Sequence, residues 1–534
     1  MGEQSGIDER AEGVVMVGAT AASLRAIDRL APTLSSMYPP RVACFTPLSP
    51  VASGISYYSE DLLPTLARAL DLTAIVDGYV PTHAAALAAA GVTILPARDY
   101  DRTKRAKGFA AVIYQLGNSP AHAYMYARAL SEPGVVVLHD VVLHHLRLWM
   151  AFNGGRAQRQ DYIEELHALY GAAGEALARE VLRGKTPATL FDYPLVEPIL
   201  AAAPAIIVHN AASAARLAGL RPSSNVRVVP MGVPLPELPD RAAARARLGV
   251  APDAFLVVSH GHVNPYKRLD VALRAFRRLA SERPDAQFVI AGSEAPGLGA
   301  TLERQVGFLG LGGRVRRLGF VTPETVGDLL AAADCCINLR YPSAGETSAS
   351  LLRIMGAGLP VIVSDAGSLG EVPSGCAIKI PVGRIEEPLL AEYLIALSRD
   401  EALRAGLGAA ARAFVAEEHS VARAATGYLD LLAPLVGRPL ALPEEVAVAP
   451  HAAAIAAESA PRNRRPAADV AQDGPSPPDP LLDGVADALA ELRLAGHGPT
   501  VRGVARDLAA LGLGAAAARP ESRRGWSRWR RRGR

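Results

Sequence analysis

The sequence predicts an α/β protein of two doubly wound domains facing a cleft, followed by a low-complexity C-terminal extension. Three observations carry this. Short apolar runs of strand length alternate with segments of helical spacing from Arg41 to about Leu432, the pattern of parallel sheets covered on both faces. The alternation falls into two halves, separated by the Pro-rich crossover Val229-Pro-Met-Gly-Val-Pro-Leu-Pro-Glu-Leu-Pro239, which reads as a hinge. Several strands end in small-residue loops that feed helices, and in open parallel sheets that edge is where ligands bind. A chain of 534 residues is also too long for one core.

Residues 1–234 are assigned to the first domain. Strands are expected at 41–46, 92–95, 111–115, 135–138, 205–208 and 226–229, and a helix over 55–70 with Leu62, Leu63, Leu66 and Leu70 on one face. The apolar run 14–17 has no assigned place. After the first strand, Gly54 would let backbone approach a ligand closely, although a structural turn explains it equally well, and Tyr57 opens the helix. Asn118 and His122 follow the strand at 111–115 as candidate acceptor contacts. His139 and Asp140 end the strand at 135–138, and His139 is expected to contact a substrate. With His144 and His145 they suggest a metal cluster. Adjacent histidines diverge on a helix, however, and no cysteine or carboxylate group completes the set, so no metal ligand is assigned.

Residues 235–436 repeat the plan, with strands at 255–259, 287–291, 315–318, 335–339, 361–364 and 377–380. The first strand runs into Gly261-His-Val-Asn-Pro-Tyr-Lys-Arg-Leu-Asp270, so Lys267 and Arg268 stand at a strand-to-helix corner. Cations there can neutralise a diphosphate. A second corner follows 335–339. Pro342, Ser343 and Gly345 force a loop, Leu351, Leu352, Ile354 and Met355 carry helical spacing, and Gly356 and Gly358 end the helix. Free amides at Thr347, Ser348, Ala349 and Ser350 would form an anion site backed by the helix dipole. Glu346 sits at its mouth, where a carboxylate accepts hydrogen bonds from sugar hydroxyls. An isolated Glu would merely favour a first helical turn; the opposite corner with Lys267 gives this one a role. Gly297-Leu-Gly and Gly310-Leu-Gly-Gly lack dinucleotide spacing and read as turns.

The net charge of +3 argues against dedicated nucleic-acid binding. The polar start is not a signal peptide, no apolar run has spanning length, and the four cysteines lack C-x-x-C spacing, so a cytoplasmic protein is expected. Residues 437–480 read as a flexible Ala/Pro-rich linker. Residues 481–534 read as a short helical segment and a basic tail with Trp526 and Trp529 interleaved. Such a tail suits anionic lipid headgroups, implying peripheral contact with the inner membrane face, and equally suits a solvated tail.

The motifs Ser53-Gly-Ile-Ser-Tyr-Tyr-Ser59, Leu138-His-Asp140, Val229-Pro-Met-Gly-Val233, the Lys267 corner and Gly356-Ala-Gly-Leu-Pro-Val-Ile-Val-Ser-Asp-Ala-Gly-Ser-Leu-Gly-Glu371 resemble those of retaining glycosyltransferase family 4. That family includes bacterial mannosyltransferases and sucrose synthases, and the resemblance spans about residues 41–432. It implies two Rossmann-like domains of the GT-B type, the second holding a nucleotide-diphospho-sugar and the first a saccharide, lipid-linked or small-molecule acceptor. By the same resemblance Lys267 holds the diphosphate. Glu346 and the amides of Thr347 to Ser350 hold sugar and phosphate, and Gly54, Gly232, His262, Arg268 and Glu371 complete the donor site. His139 lies near the anomeric carbon, and Tyr57, Asn118 and Asp140 contact the acceptor. The resemblance also implies a retaining hexosyl transfer without metal or cofactor, in polysaccharide biosynthesis. Three positions depart from the family. Its glutamates, spaced E-x7-E, fall at Gly345 and Arg353, with Glu346 one residue late, and its Arg before the Lys is His262. Arg268 and Arg340 are the nearby cations that could stand in. A catalytically silent nucleotide-sugar-binding or scaffold protein is the alternative reading.

Overall fold

The computed structural model of the protein describes residues 38–185 and 188–443 together with Val504. The apolar run 14–17, nearly all of the expected linker and the basic tail lie outside the described residues.

The first sheet contains seven parallel strands: β1 Arg41–Phe45, β2 Asp71–Val76, β3 Val92–Pro96, β4 Ala111–Leu116, β5 Val135–Leu138, β6 Ala205–Val208 and β7 Val226–Val228. Their order is β3-β2-β1-β4-β5-β6-β7, so the chain winds outward from β1 in both directions. The central strands are buried along nearly their whole length, as a sheet with helices on both faces demands. The second sheet contains β8 Leu256–His260, β9 Gln287–Ala291, β10 Val315–Gly319, β11 Cys335–Asn338, β12 Val361–Ser364 and β13 Ile378–Ile380. Its order is β10-β9-β8-β11-β12-β13, with the same central reversal. In each sheet the reversal leaves a crevice at the carboxyl ends of the two central strands.

Helix α1, Gly54–Ala67, is capped by Ser53, whose side chain accepts from Ile55 N at 3.2 Å, and it buries Tyr58, Leu62, Leu63 and Leu66. It ends at Ala67 rather than at 70, and the next apolar residues form β2, a strand the sequence reading did not separate from the helix. Two helices, α2 His144–Asn153 and α3 Gly155–Leu182, are inserted between β5 and β6 and pack through Leu148, Tyr162 and Leu166. Helix α4, Ala211–Leu220, is capped by Asn210, which accepts from Ser213 N at 2.8 Å.

In the second domain, α5 Leu269–Glu282 follows β8, α6 Ala349–Gly356 follows β11, and α7 Glu386–Arg399 follows β13. The last long helix, α8 Val421–Val436, crosses back and lies against α1. Tyr58 and Tyr428 meet hydroxyl to hydroxyl at 3.0 Å, and Leu429 and Leu432 join the same apolar cluster as Leu62 and Leu66. The first domain's outer layer is thus completed by residues 421–436, which the sequence groups with the second. Burying each such leucine stabilises by about 1.5–3 kcal/mol, enough to override the sequence order of domains. Among the described residues no helix is long and apolar enough to cross a membrane.

Candidate active site in the interdomain cleft

A cleft of about 1000 Å³ separates the two carboxyl edges. Its second-domain wall is built on the β11–α6 loop, which the first domain holds in place. Val141 N donates to Ala344 O at 2.8 Å, while Asn210 Nδ2 and Ser213 Oγ donate to Gly345 O at 2.8 and 2.6 Å. Gly345 has φ +90°, and a Cβ there would stand 2.4 Å from Val141 Cγ2. No carboxylate side chain fits at that position, so the acidic group of this loop is displaced to Glu346. Glu346 pairs with the Arg340 guanidinium, and its other oxygen accepts from Ser343 Oγ at 2.8 Å. Helix α6 begins at Ala349 with Ser348 as its cap, so the amides at 347–350 straddle the helix start. Ser350 Oγ accepts from Asn338 Nδ2 at 3.1 Å, and Ser348 Oγ lies 3.1 Å from it.

The β8 corner forms a short 3-10 turn, Pro265–Lys267, capped by Asn264. Lys267 is buried beneath the cleft floor, and its Nζ donates to His260 O at 2.6 Å. Burial, reinforced by Arg340 and partly offset by Glu346, lowers its ammonium to about 7. A Cβ on Gly261 would lie 2.9 Å from Nζ, so any side chain at 261 would press on the Lys267 ammonium. His262 lines the cleft with Nδ1 3.0 Å from Ser293 Oγ.

The opposite wall comes from β1, β4 and β5. His139 is buried with Nε2 2.7 Å from Gln115 Oε1, and Gln115 Nε2 donates to Tyr428 OH at 3.3 Å. Burial holds His139 well below the usual histidine value, with His209 and His122 adding to the shift. Asp140 accepts from Asn118 N at 2.7 Å. Burial, then the facing Glu346, raises its carboxyl to about 7. His122 Nδ1 lies 2.9 Å from Gln115 O, and burial lowers it to about 4. Tyr57 stands under the Arg353 guanidinium, 5.9 Å from ring centre to Cζ, and Arg353 Nη2 reaches Asp61 Oδ2 at 2.7 Å across the cleft.

His139, Asp140, Glu346, His262, Gly54, Tyr57, Asn118 and the 347–350 run therefore converge on one cleft, with Lys267 just under it. Three candidates point elsewhere. Arg268 sits in a left-handed conformation at φ 51°, which turns its guanidinium onto the buried carboxylate of Glu386. Gly232 is packed against the start of α8, where a Cβ would lie 2.8 Å from Val421 Cα. Glu371 caps α4 of the first domain, accepting from Ala211 N at 2.9 Å and from Ala212 N. Asn118 spends its amide on the start of α2, accepting from Leu146 N at 3.0 Å and meeting His145 Nδ1 at 2.9 Å, which leaves it a scaffolding part. His144 bonds Tyr193 O and Tyr162 OH, a packing role. Asp61, Gln115, Asn210, His260 and Tyr428 were missed. For Gln115, a lone polar residue inside an apolar strand was the available signal. Among the described residues no group of three His, Cys, Asp or Glu side chains converges to hold a metal.

Two Rossmann-like sheets opposed across such a cleft define a GT-B-type fold. The chain matches HepE of Anabaena, solved with UDP and glucose, at TM-score 0.54 and 18% identity, covering 74% of this chain and 100% of that one. Sucrose-phosphate synthase of Thermosynechococcus elongatus matches at TM-score 0.55 and 17% identity, covering 74% and 99%. Residues 254–400, within the second domain, match the model of the family described as Glycosyl transferases group 1. Among curated proteins, the D-inositol 3-phosphate glycosyltransferase of Geodermatophilus obscurus is 30% identical over 310 residues, 55% of this chain and 66% of the relative. That of Streptomyces avermitilis is 29% identical over 307 residues, 54% and 64%. The matches span just under two thirds of these relatives' length.

Proposed function

We propose that the protein is a glycosyltransferase that moves a sugar from a nucleotide-diphospho-sugar to a hydroxyl-bearing acceptor, with retention at the anomeric carbon. The observation that carries this reading is the pairing of two strand-to-helix corners in one cleft: Lys267 behind Gly261 and the Arg340–Glu346 pair on the β11–α6 loop. Lys267 neutralises charge on the diphosphate, part of the work a metal ion would otherwise do. Glu346, already oriented by Arg340 and Ser343, accepts hydrogen bonds from donor-sugar hydroxyls. The acceptor oxygen bonds to the anomeric carbon as its bond to the phosphate oxygen breaks, and the acceptor's proton passes to the leaving phosphate on the same face. His139 and Asp140 border the reacting centre from the first domain. The UDP found with HepE makes a uridine donor the first to try.

The test is nucleotide release and thermal shift with a panel of nucleotide-sugars, for wild type and Glu346→Gln. Saturating donor at about 100 times its dissociation constant adds about 2.7 kcal/mol of stability. Donor-dependent release in wild type, lost by at least about tenfold in Glu346→Gln with an unchanged melting curve, is expected. Binding without release for any acceptor would favour a silent sugar-nucleotide-binding protein.

A further inference from the structure

The two walls of the cleft differ in what they offer a ligand. Among the described lining residues, the first domain contributes the carboxylates Glu60, Asp61 and Asp140 and the imidazoles His122, His139 and His145, and no lysine or arginine. The lining arginines, Arg340 and Arg353, belong to the second domain, and each is already joined to a carboxylate, Glu346 and Asp61.

Two of the three imidazoles on this wall, His122 and His139, are fixed as hydrogen-bond acceptors; the third, His145, takes the Asn118 amide at Nδ1 and so carries its proton on Nε2. A carbonyl oxygen only accepts, so the proton of His122 must sit on Nδ1, against Gln115 O, which leaves Nε2 a bare lone pair. Gln115 repeats the arrangement at its amide. Its Nε2 donates to Tyr428, its Oε1 receives the Nε2 proton of His139, and Nδ1 of His139 is left bare. Both bare nitrogens are buried and have no partner among the described residues. Their environment keeps both rings uncharged. A Cβ on Gly117 would stand 3.0 Å from His122 Nε2 and 3.2 Å from Asp140 Oδ2, with the Ile55 Cδ1 methyl 2.5 Å from it, so the two acceptors flank the same glycine and Ile55 covers the space between them. Buried acceptors in such a place call for donors, and hydroxyls and ammonium groups supply them.

We infer that the acceptor held on this wall is an uncharged or cationic polyhydroxy compound, and not a phosphorylated or carboxylated one. This rests on the transferase reading above. A phosphate ester would meet carboxylates and lone pairs, with no unpaired arginine or lysine among the described lining residues, and recruiting Arg353 would require breaking its bond to Asp61. A protonated Asp140 removes a repulsion and brings no positive charge. The curated relatives carry a phosphorylated inositol in their names; this wall points to a different choice here.

The experiment uses the full chain and matched acceptor pairs: myo-inositol against inositol 3-phosphate, glucose against glucose 6-phosphate, with glucosamine as a cationic member. Each is read by donor-dependent nucleotide release and, independently of turnover, by melting-temperature shift without donor. The free polyol or amine should be used or bound at least about tenfold better than its phosphate ester. Ser119 lines the same wall and makes no capping bond, so Ser119→Arg adds a cation there and should narrow that ratio about tenfold. Preference for the esters, or a ratio unmoved by Ser119→Arg, overturns the inference. Preference for the free polyols in the melting arm, with no donor bound or released in any arm, would instead sink the transferase reading and leave the acceptor preference of the wall supported.

Discussion

The two walls of the cleft solve opposite problems with the same secondary structure. Both are strand ends feeding helices, yet the second-domain wall gathers cations and the first-domain wall gathers hydrogen-bond acceptors. On the second wall, Arg340 is quenched by Glu346, while Lys267 has a carbonyl as its hydrogen-bond partner and no bonded carboxylate. A buried cation bonded to a neutral dipole keeps its attraction for an arriving anion, whereas one paired to a carboxylate has largely spent it. On the first wall burial keeps His122 and His139 neutral, and each is left with one bare lone pair. Burial opposes charge on both sides: it brings the Lys267 ammonium down to about 7, still chargeable near neutrality, and keeps the first-wall imidazoles His122 and His139 neutral.

The largest expected effect comes from removing the Lys267 ammonium. Lys267→Met keeps length and apolar volume while deleting the ammonium. We expect kcat/KM with the best donor to fall by at least about 10²-fold. The melting temperature should hold or rise, because a desolvated charge has been replaced by an apolar tail. Steady-state nucleotide release and a melting curve decide it, and near-wild-type kinetics would remove Lys267 from the site and leave the contrast between the walls without its main support.

How much of this was legible in the sequence divides along the same physical line. The strands of the second domain and both corners could be read because their apolar runs are bounded by Gly, Pro and Asn. Strand β2 was lost because helical spacing runs from Leu66 through Leu70 without a Gly or Pro, and only β-branched Thr73, Ile75 and Val76 mark the change. The displacement of the acidic residue to Glu346 was visible. Its cause, a loop pressed so close to Val141 that position 345 must be glycine, was not. Nor were the contacts that set roles: Tyr428 against Gln115, Glu371 on α4, Arg268 on Glu386 and Arg353 on Asp61 join residues more than a hundred positions apart. Spacing shows which residues reach a strand end; packing decides which way they then turn.

A pH series sharpens the contrast at intermediate effect size. Lys267, lowered to about 7, is charged below that pH and neutral above it. Anionic donor should bind with little pH dependence below 7 and weaken by up to about tenfold per unit above, since each binding event must then take up a proton. Stability without donor should run the other way: between about 7 and 10 the unfolded chain holds the proton and the native chain does not, so stability rises with pH. Asp140, raised to about 7, gives the opposite slope on the acid side, because from about 4 to 7 the native state holds the extra proton and stability falls as pH rises. Melting temperatures of wild type, Lys267→Met and Asp140→Asn across pH 4–10 check this. Each variant should flatten its own limb, and profiles identical to wild type would mean that neither wall titrates as described.

The smallest effect concerns the ion pair that joins the walls. Arg353 and Asp61 meet at 2.7 Å with about a quarter of each side chain exposed, and Arg353 also covers the ring of Tyr57. Burial raises the Asp61 carboxyl while Arg353 pulls it back, the balance expected of a partly desolvated pair. Such a pair contributes on the order of 1 kcal/mol, so Asp61→Asn and Arg353→Gln should each change the donor KM by no more than about fivefold. If the pair acts as a brace between domains, the double variant should be no worse than either single one, because the second change removes a partner already lost. A different pattern would be informative in a specific way. If Arg353→Gln alone abolished donor binding while Asp61→Asn were silent, Arg353 would be holding the donor itself, and Asp61 would only keep it in place while the cleft is empty. The second wall would then own a further cation, and the same variant would weaken the argument that an acceptor phosphate finds no partner in the cleft.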